Sequence, residues 1–199
     1  MSTYTIPSVI ERTTGGGERT ADIFSRLLSD RIIYLGTAVD DGVANTVIAQ
    51  VLHLENESRD VPIQIYLNSE GGDVQSVLAI HDALAYVHCP VAVTCVGQVV
   101  AAPVLLLGAG TPGLRSVLPH SRVVLRPLEA SGRGAVPDLI LAPEELERVR
   151  GLLEQLLAEA TGREPAQVRR DLERERVLDP TAAVEYGLAD EILFRRPTA

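Results

Sequence analysis

The sequence predicts an α/β fold built around a largely parallel sheet, and three observations carry that prediction. Short β-branched, apolar runs alternate with segments whose apolar residues recur at helical spacing, the pattern of right-handed crossover units. Two of those runs, VPIQIYL at 61–67 and VAVTCV at 91–96, meet glycine-bearing turns that lead into helices. Finally, 199 residues with 46% hydrophobic content, and no internal repeat or linker, fit one domain with a sizeable core.

Taken in order, residues 1–19 join an apolar patch (Tyr4, Ile6, Val9, Ile10) to a Gly15-Gly16-Gly17 break. They read as a mobile arm that orders only against something else, or as a frayed tail. From Thr20, Ile23, Phe24, Leu27 and Leu28 recur at helical spacing with Asp22 in the first turn, which predicts a surface helix. RIIYLG at 31–36 is a short strand, and 40–54 a second helix with Val43, Val47, Ile48, Val51 and Leu54 on one face. ENESRD at 55–60 is a polar loop, 61–67 a strand, and 74–87 a helix. The strand at 91–96 is expected to stop at Gly97 and to pass into a short Ala- and Leu-rich helix. A Pro119-His120 corner then precedes the strand 122–126. Residues 128–143, with Gly132, Gly134, Pro137 and Pro143, read as irregular, and 144–160 as a long helix whose Leu stripe is broad enough to meet a neighbour. A charged helix over 164–176 and a helix, Gly turn and strand over 182–193 close the chain.

Composition excludes several functions. A net charge of −9 argues against nucleic acid as the main partner, which would need clustered cations. All 18 basic residues are Arg, so there is no Lys nucleophile or base. Cys89 and Cys95 form no CxxC pair and have no His at ligand spacing, so buried thiols, no metal and no cofactor are expected. With no charged-then-apolar leader and no apolar run of about 18 residues, a cytoplasmic protein without a membrane partner is expected.

Both joints suit acyl chemistry. A strand–turn–helix joint can aim one side chain and free backbone N–H groups at one point, as a nucleophile beside an oxyanion hole requires. Yet Gln98, Val99, Val100, Ala101 and Ala102 include no nucleophile and no titratable group. At the other joint, NSEGG at 68–72, two glycines permit close backbone approach, a signal that is weak alone.

The order DDGVAN, NSEGG, CVGQVVAA, LPHSRVVLRP and EYGLADEIL resembles the proteolytic subunit of the Clp protease family, from about Tyr4 to Leu193. The resemblance implies a crotonase-like fold in a single domain, 1–199. Its parts are a head of βα units, an axial arm at 1–19 and a projecting handle at about 128–160. It further implies two stacked seven-membered rings enclosing a chamber, served by an ATP-driven AAA+ unfoldase.

The family is a serine peptidase with a Ser-His-Asp triad, and the resemblance carries those positions onto Ala101, Arg126 and Glu175. A methyl group cannot attack a carbonyl, and a guanidinium offers no lone pair to accept a proton. Loss of a triad Ser or His alone costs a comparable enzyme on the order of a million-fold, about 8 kcal/mol of barrier. The oxyanion-hole positions fall on Gly72 and Ala102, with Pro103 where the family has Gly. The docking pocket for the unfoldase falls on Gln64, Tyr66 and Tyr86, and Gln64 weakens its apolar character, so docking through a partner ring is expected.

The reading is therefore a catalytically inactive subunit that assembles into homo- or hetero-oligomeric rings and supports an active paralogue. The alternatives are an active endopeptidase with a relocated triad and a stand-alone regulator or decoy binding peptide or inhibitor. His120 lies six residues from Arg126, roughly 20 Å along a strand, which speaks against relocation. A final expectation is that Arg126 and Glu175 form an ion pair in a buried site.

Overall fold

The computed structural model describes residues 7–12, 18–127 and 136–195. Its elements are β1 (Ser8–Arg12), β2 (Glu18–Asp22), α1 (Ile23–Ser29), β3 (Ile32–Leu35), α2 (Asp41–Glu57), β4 (Ile63–Ser69), α3 (Val74–Tyr86) and β5 (Val91–Val100). They continue with α4 (Val104–Gly108), β6 (Arg115–Val117), β7 (Arg122–Leu125), α5 (Val136–Thr161), α6 (Pro165–Asp171), β8 (Arg176–Leu178), α7 (Pro180–Tyr186) and β9 (Glu191–Ile192). Helix starts follow local chemistry. Asp22, Asp40, Asp73 and Asp179 each cap a helix by accepting backbone N–H groups of the first turn.

The main sheet runs β3-β4-β5-β6-β9, all parallel, with β7 parallel to β5 and β8 antiparallel to β7. β5 is the spine. Its first half pairs with β6 through Val93, Thr94 and Cys95, and its second half pairs with β7 through Gln98, Val99 and Val100. On β4, Ile63, Ile65, Leu67 and Ser69 are buried in strict alternation, and Ile63, Ile65 and Leu67 share one core with the buried residues of α2 and α3. α4 is buried along its whole length.

Several sequence expectations are corrected. Thr20 to Asp22 belong to β2, whose residues 18–22 pair antiparallel with β1 at 8–12, so the described part of the 1–19 stretch forms a hairpin-like pairing with the segment read as the start of a helix, and Asp22 caps α1 instead of sitting inside it. β5 does not stop at Gly97. There the pairing shifts from Leu67↔Cys95 to Ser69↔Val99, and the extra residues on β5 form a bulge that Gly97, at φ 82°, accommodates. Gln98 N donates to Asn68 Oδ1 across this bulge.

α5 begins at Val136, inside the stretch read as irregular. Pro137 falls in its first turn, where a missing N–H costs little, and Pro143 is carried at the loss of one intrahelical bond. The remainder of that stretch, 128–135, lies outside the described residues. The helix expected over 164–176 ends at Asp171, and Arg176–Leu178 is a strand instead.

Candidate functional site

At the end of β5 the chain turns on Ala101, whose φ of 58° is left-handed, a conformation that costs a residue with a Cβ about 1–2 kcal/mol. Ala101 N donates to Val124 O at 2.9 Å, tying the turn to β7, and Val104 N and Leu105 N return to Ala101 O and Ala102 O as the helix begins. The Ala102 N–H has no acceptor among the described residues.

The second joint is equally constrained. Gly72 has φ 146° and bridges Val39, and a Cβ placed on it would lie 2.3 Å from Val39 O. Val39 N donates to Gly71 O and Asp73 N to Val39 O, which leaves the Gly72 N–H without an acceptor among the described residues. Buried Ser69 is committed to this loop, its hydroxyl donating to Gly71 O at 3.0 Å.

Arg126 follows β7 directly and Glu175 precedes β8. Because these strands pair antiparallel, with Leu125 opposite Arg176, the two side chains meet. Arg126 Nε and Nη2 both donate to Glu175 Oε2, at 3.0 and 2.7 Å. The expected ion pair is present, but not in a buried site: its side chains are 43% and 51% exposed, which limits it to about 1 kcal/mol or less.

Ala101, Ala102 and Arg126 line one cavity of about 200 Å³. Its other walls are residues that the sequence reading did not assign to a site: Leu153, Leu157 and Arg150 from α5, with Leu172 and Glu173 from the turn after α6. The Leu stripe of α5 was legible, but not that part of it would face a cavity of the same chain. The missed strand β8 explains why: it folds the turn after α6 back toward β7.

Other hydroxyls near the motifs are engaged elsewhere. Ser76 donates to Asp41 at 2.8 Å and Ser121 to Leu118 O at 2.7 Å. His53, His81 and His88 contact carboxylates, and among the described residues no histidine ring is hydrogen-bonded to a hydroxyl. His120 is exposed before β7, at the opposite end of that strand from Arg126. Cys89 and Cys95 are free, buried thiols. Among the described residues no cluster of His, Cys, Asp and Glu suits a metal, and no helix is long and apolar enough to cross a membrane.

Gln64 and Tyr66 share the half-buried face of β4, where Tyr66 lies opposite Tyr34 of β3 and Thr94 of β5. Tyr86 ends α3 with 74% of its surface exposed.

Comparison with known proteins adds two findings. The family model described as Clp protease matches residues 15–196. The chain is 54% identical over 196 residues to ATP-dependent Clp protease proteolytic subunit 1 of Nocardia farcinica, covering 98% of this chain and 100% of that one. It is 49% identical to proteolytic subunit 2 of Streptomyces avermitilis, covering 98% of each chain. It is also 47% identical to a putative proteolytic subunit-like protein of Streptomyces coelicolor, over 98% of this chain and 93% of the other.

Proposed function

Because the chain belongs to the Clp protease family, we propose that it is a catalytically silent proteolytic-type subunit that joins Clp peptidase rings and supports an active paralogue in ATP-dependent protein degradation. One observation carries this reading. The cavity at the strand–helix joint is lined by the methyl of Ala101 and the guanidinium of Arg126, and Arg126 is engaged by Glu175. In this reading Ala101, Arg126 and Glu175 occupy the positions of nucleophile, general base and orienting acid. Arg126 cannot serve as the proton acceptor at its position, because an arginine stays charged at every working pH.

The frame of the site remains while its reactive atoms are gone. The unengaged N–H groups of Gly72 and Ala102 correspond to an oxyanion hole, and the strained turn at Ala101 is the geometry that would expose a nucleophile. Selection for assembly would keep such a frame after hydrolysis was lost. Gln64 places a polar amide where the family docks its unfoldase, so the unfoldase engages the partner ring. A single cytoplasmic domain with the N-terminal stretch at the ring axis and the region of about 128–160 as handle completes the proposal.

The test is a mixing experiment. Purified alone, the chain leaves a fluorogenic peptide uncut, and mixed with a catalytically competent paralogue it appears with that paralogue in native mass spectra of the ring. Hydrolysis by the isolated chain would overturn the silent site, and a stable monomer that ignores paralogues would overturn the assembly role.

A further inference from the structure

We propose that the cavity beside Ala101 is a receptor for a free carboxylate carried next to one apolar side chain, namely the C-terminal residue of a short peptide such as a proteolysis product. The inference rests on the reading that this site does not hydrolyse what it holds.

Shape sets the apolar part. Leu105, Leu153 and Leu157 are buried around a space of about 200 Å³, with Leu172 beside them. An apolar cavity on the order of 150 Å³ accepts a benzene ring, so this one has room for a single apolar side chain and not for a long acyl tail.

Charge sets the polar part. Arg126 has five N–H donors, and Glu175 Oε2 takes only those from Nε and Nη2. The two Nη1 donors and the second Nη2 donor remain, and the contact with Glu175 fixes the plane of the fork. Arg150 lines the same cavity, held by Glu154 at 2.9 Å, and Glu173 is the one carboxylate among the described residues lining it. Both arginines are already paired, Arg126 with Glu175 and Arg150 with Glu154, so recognition rests on the donors of Arg126 that Glu175 leaves open and not on an excess of positive charge. The Ala102 N–H, without an acceptor among the described residues, adds a neutral donor. A guanidinium fork with a backbone N–H suits a group with two charged oxygens, whereas an amidated peptide end offers one neutral oxygen and gains little from Arg126.

Fluorescence anisotropy on the intact chain tests this, with an N-terminally labelled Ala-Ala-Leu peptide as free acid and as C-terminal amide, and octanoate as competitor. The free acid is expected to bind at least tenfold more tightly than the amide, and both R126Q and R126M are expected to erase that preference. Arg126 is half exposed, so both variants should fold, and their thermal melts verify it. Equal affinity for acid and amide, or a preference unchanged in both variants, would overturn the proposal. Octanoate displacing the probe below the peptide's own concentration range would also overturn it, assigning the cavity to a fatty acid. Mass spectra of the peptides after incubation keep the two readings apart. Cleaved peptide counts against the silent site, while the acid-to-amide ratio reports on the receptor alone.

Discussion

Ala101 keeps a left-handed backbone without the side chain that would make such a turn useful for attack. Under the proposed function, introducing a hydroxyl at 101 alone is not enough, because Arg126 cannot accept its proton. A101S should therefore stay at background in a fluorogenic peptide assay, whereas A101S/R126H/E175D should give measurable turnover when assembled; activity in A101S alone would show that another base serves the site. Two buried groups set a pH dependence. Burial, moderated by a contact from Ser121, pushes the Cys95 thiol up to about 11. Burial and the hydrogen bond to Asp171 push the Tyr186 phenol up to about 12. Both groups are neutral in the folded and unfolded states well below pH 9, so they add no pH dependence there. Above it the unfolded chain loses these protons first, and stability must fall as pH rises from about 9 through about 12. Chemical denaturation across that range measures the decline, and a flat profile would contradict the burial of both groups.

Among the elements, β5 and β8 decide the site, and they show what was legible in advance. The alternation of strands and helices, and the two glycine joints, follow from β-branching and helical periodicity that local sequence carries. The end of β5 was not legible, because Gly97 reads as a terminator and acts as a bulge that depends on the pairing partner Ser69↔Val99. β8 was hidden for a similar reason. The charged helical pattern expected over 164–176 runs into Arg176, and only the pairing of Arg176–Leu178 with β7 makes this segment a strand. The pairing of Arg126 with Glu175 could be expected from the resemblance, but its half-exposed setting could not. At Gly97 an added Cβ would meet Asn68 Oδ1 at 3.0 Å with φ at 82°, so G97A should cost about 1–3 kcal/mol in urea unfolding; a neutral result would remove the bulge as a constraint. A second staple lies at the far edge. The Arg115 guanidinium bonds Asp190 twice and also donates to Ala160 O and Gly187 O, linking β6 to the ends of α5 and α7. Burial opposes the Asp190 charge, but the hydrogen bonds from Arg115 outweigh it and lower its pKa. Its stabilising contribution is present above the ordinary carboxylate pKa and is lost as pH falls through the lowered one. D190A leaves a mostly buried guanidinium unpaired and should cost about 3 kcal/mol by the same measurement.

At the scale of the whole molecule, a Clp protease fold over nearly its full length holds a cavity flanked by a methyl and a permanent cation. Under the proposed function the fold gives a reason for such a chain to persist, because assembly would need the sheet, the helices and the rigid joints, none of which requires a working nucleophile. Under the proposed function, such a subunit would change the composition of a chamber without adding a cutting site. Covalent labelling by a fluorophosphonate probe, read by intact-mass spectrometry on rings containing both this chain and an active paralogue, tests that claim most directly. The account predicts an adduct on the paralogue and an unmodified mass for this chain; an adduct on this chain, mapped to any of its hydroxyls, would contradict it.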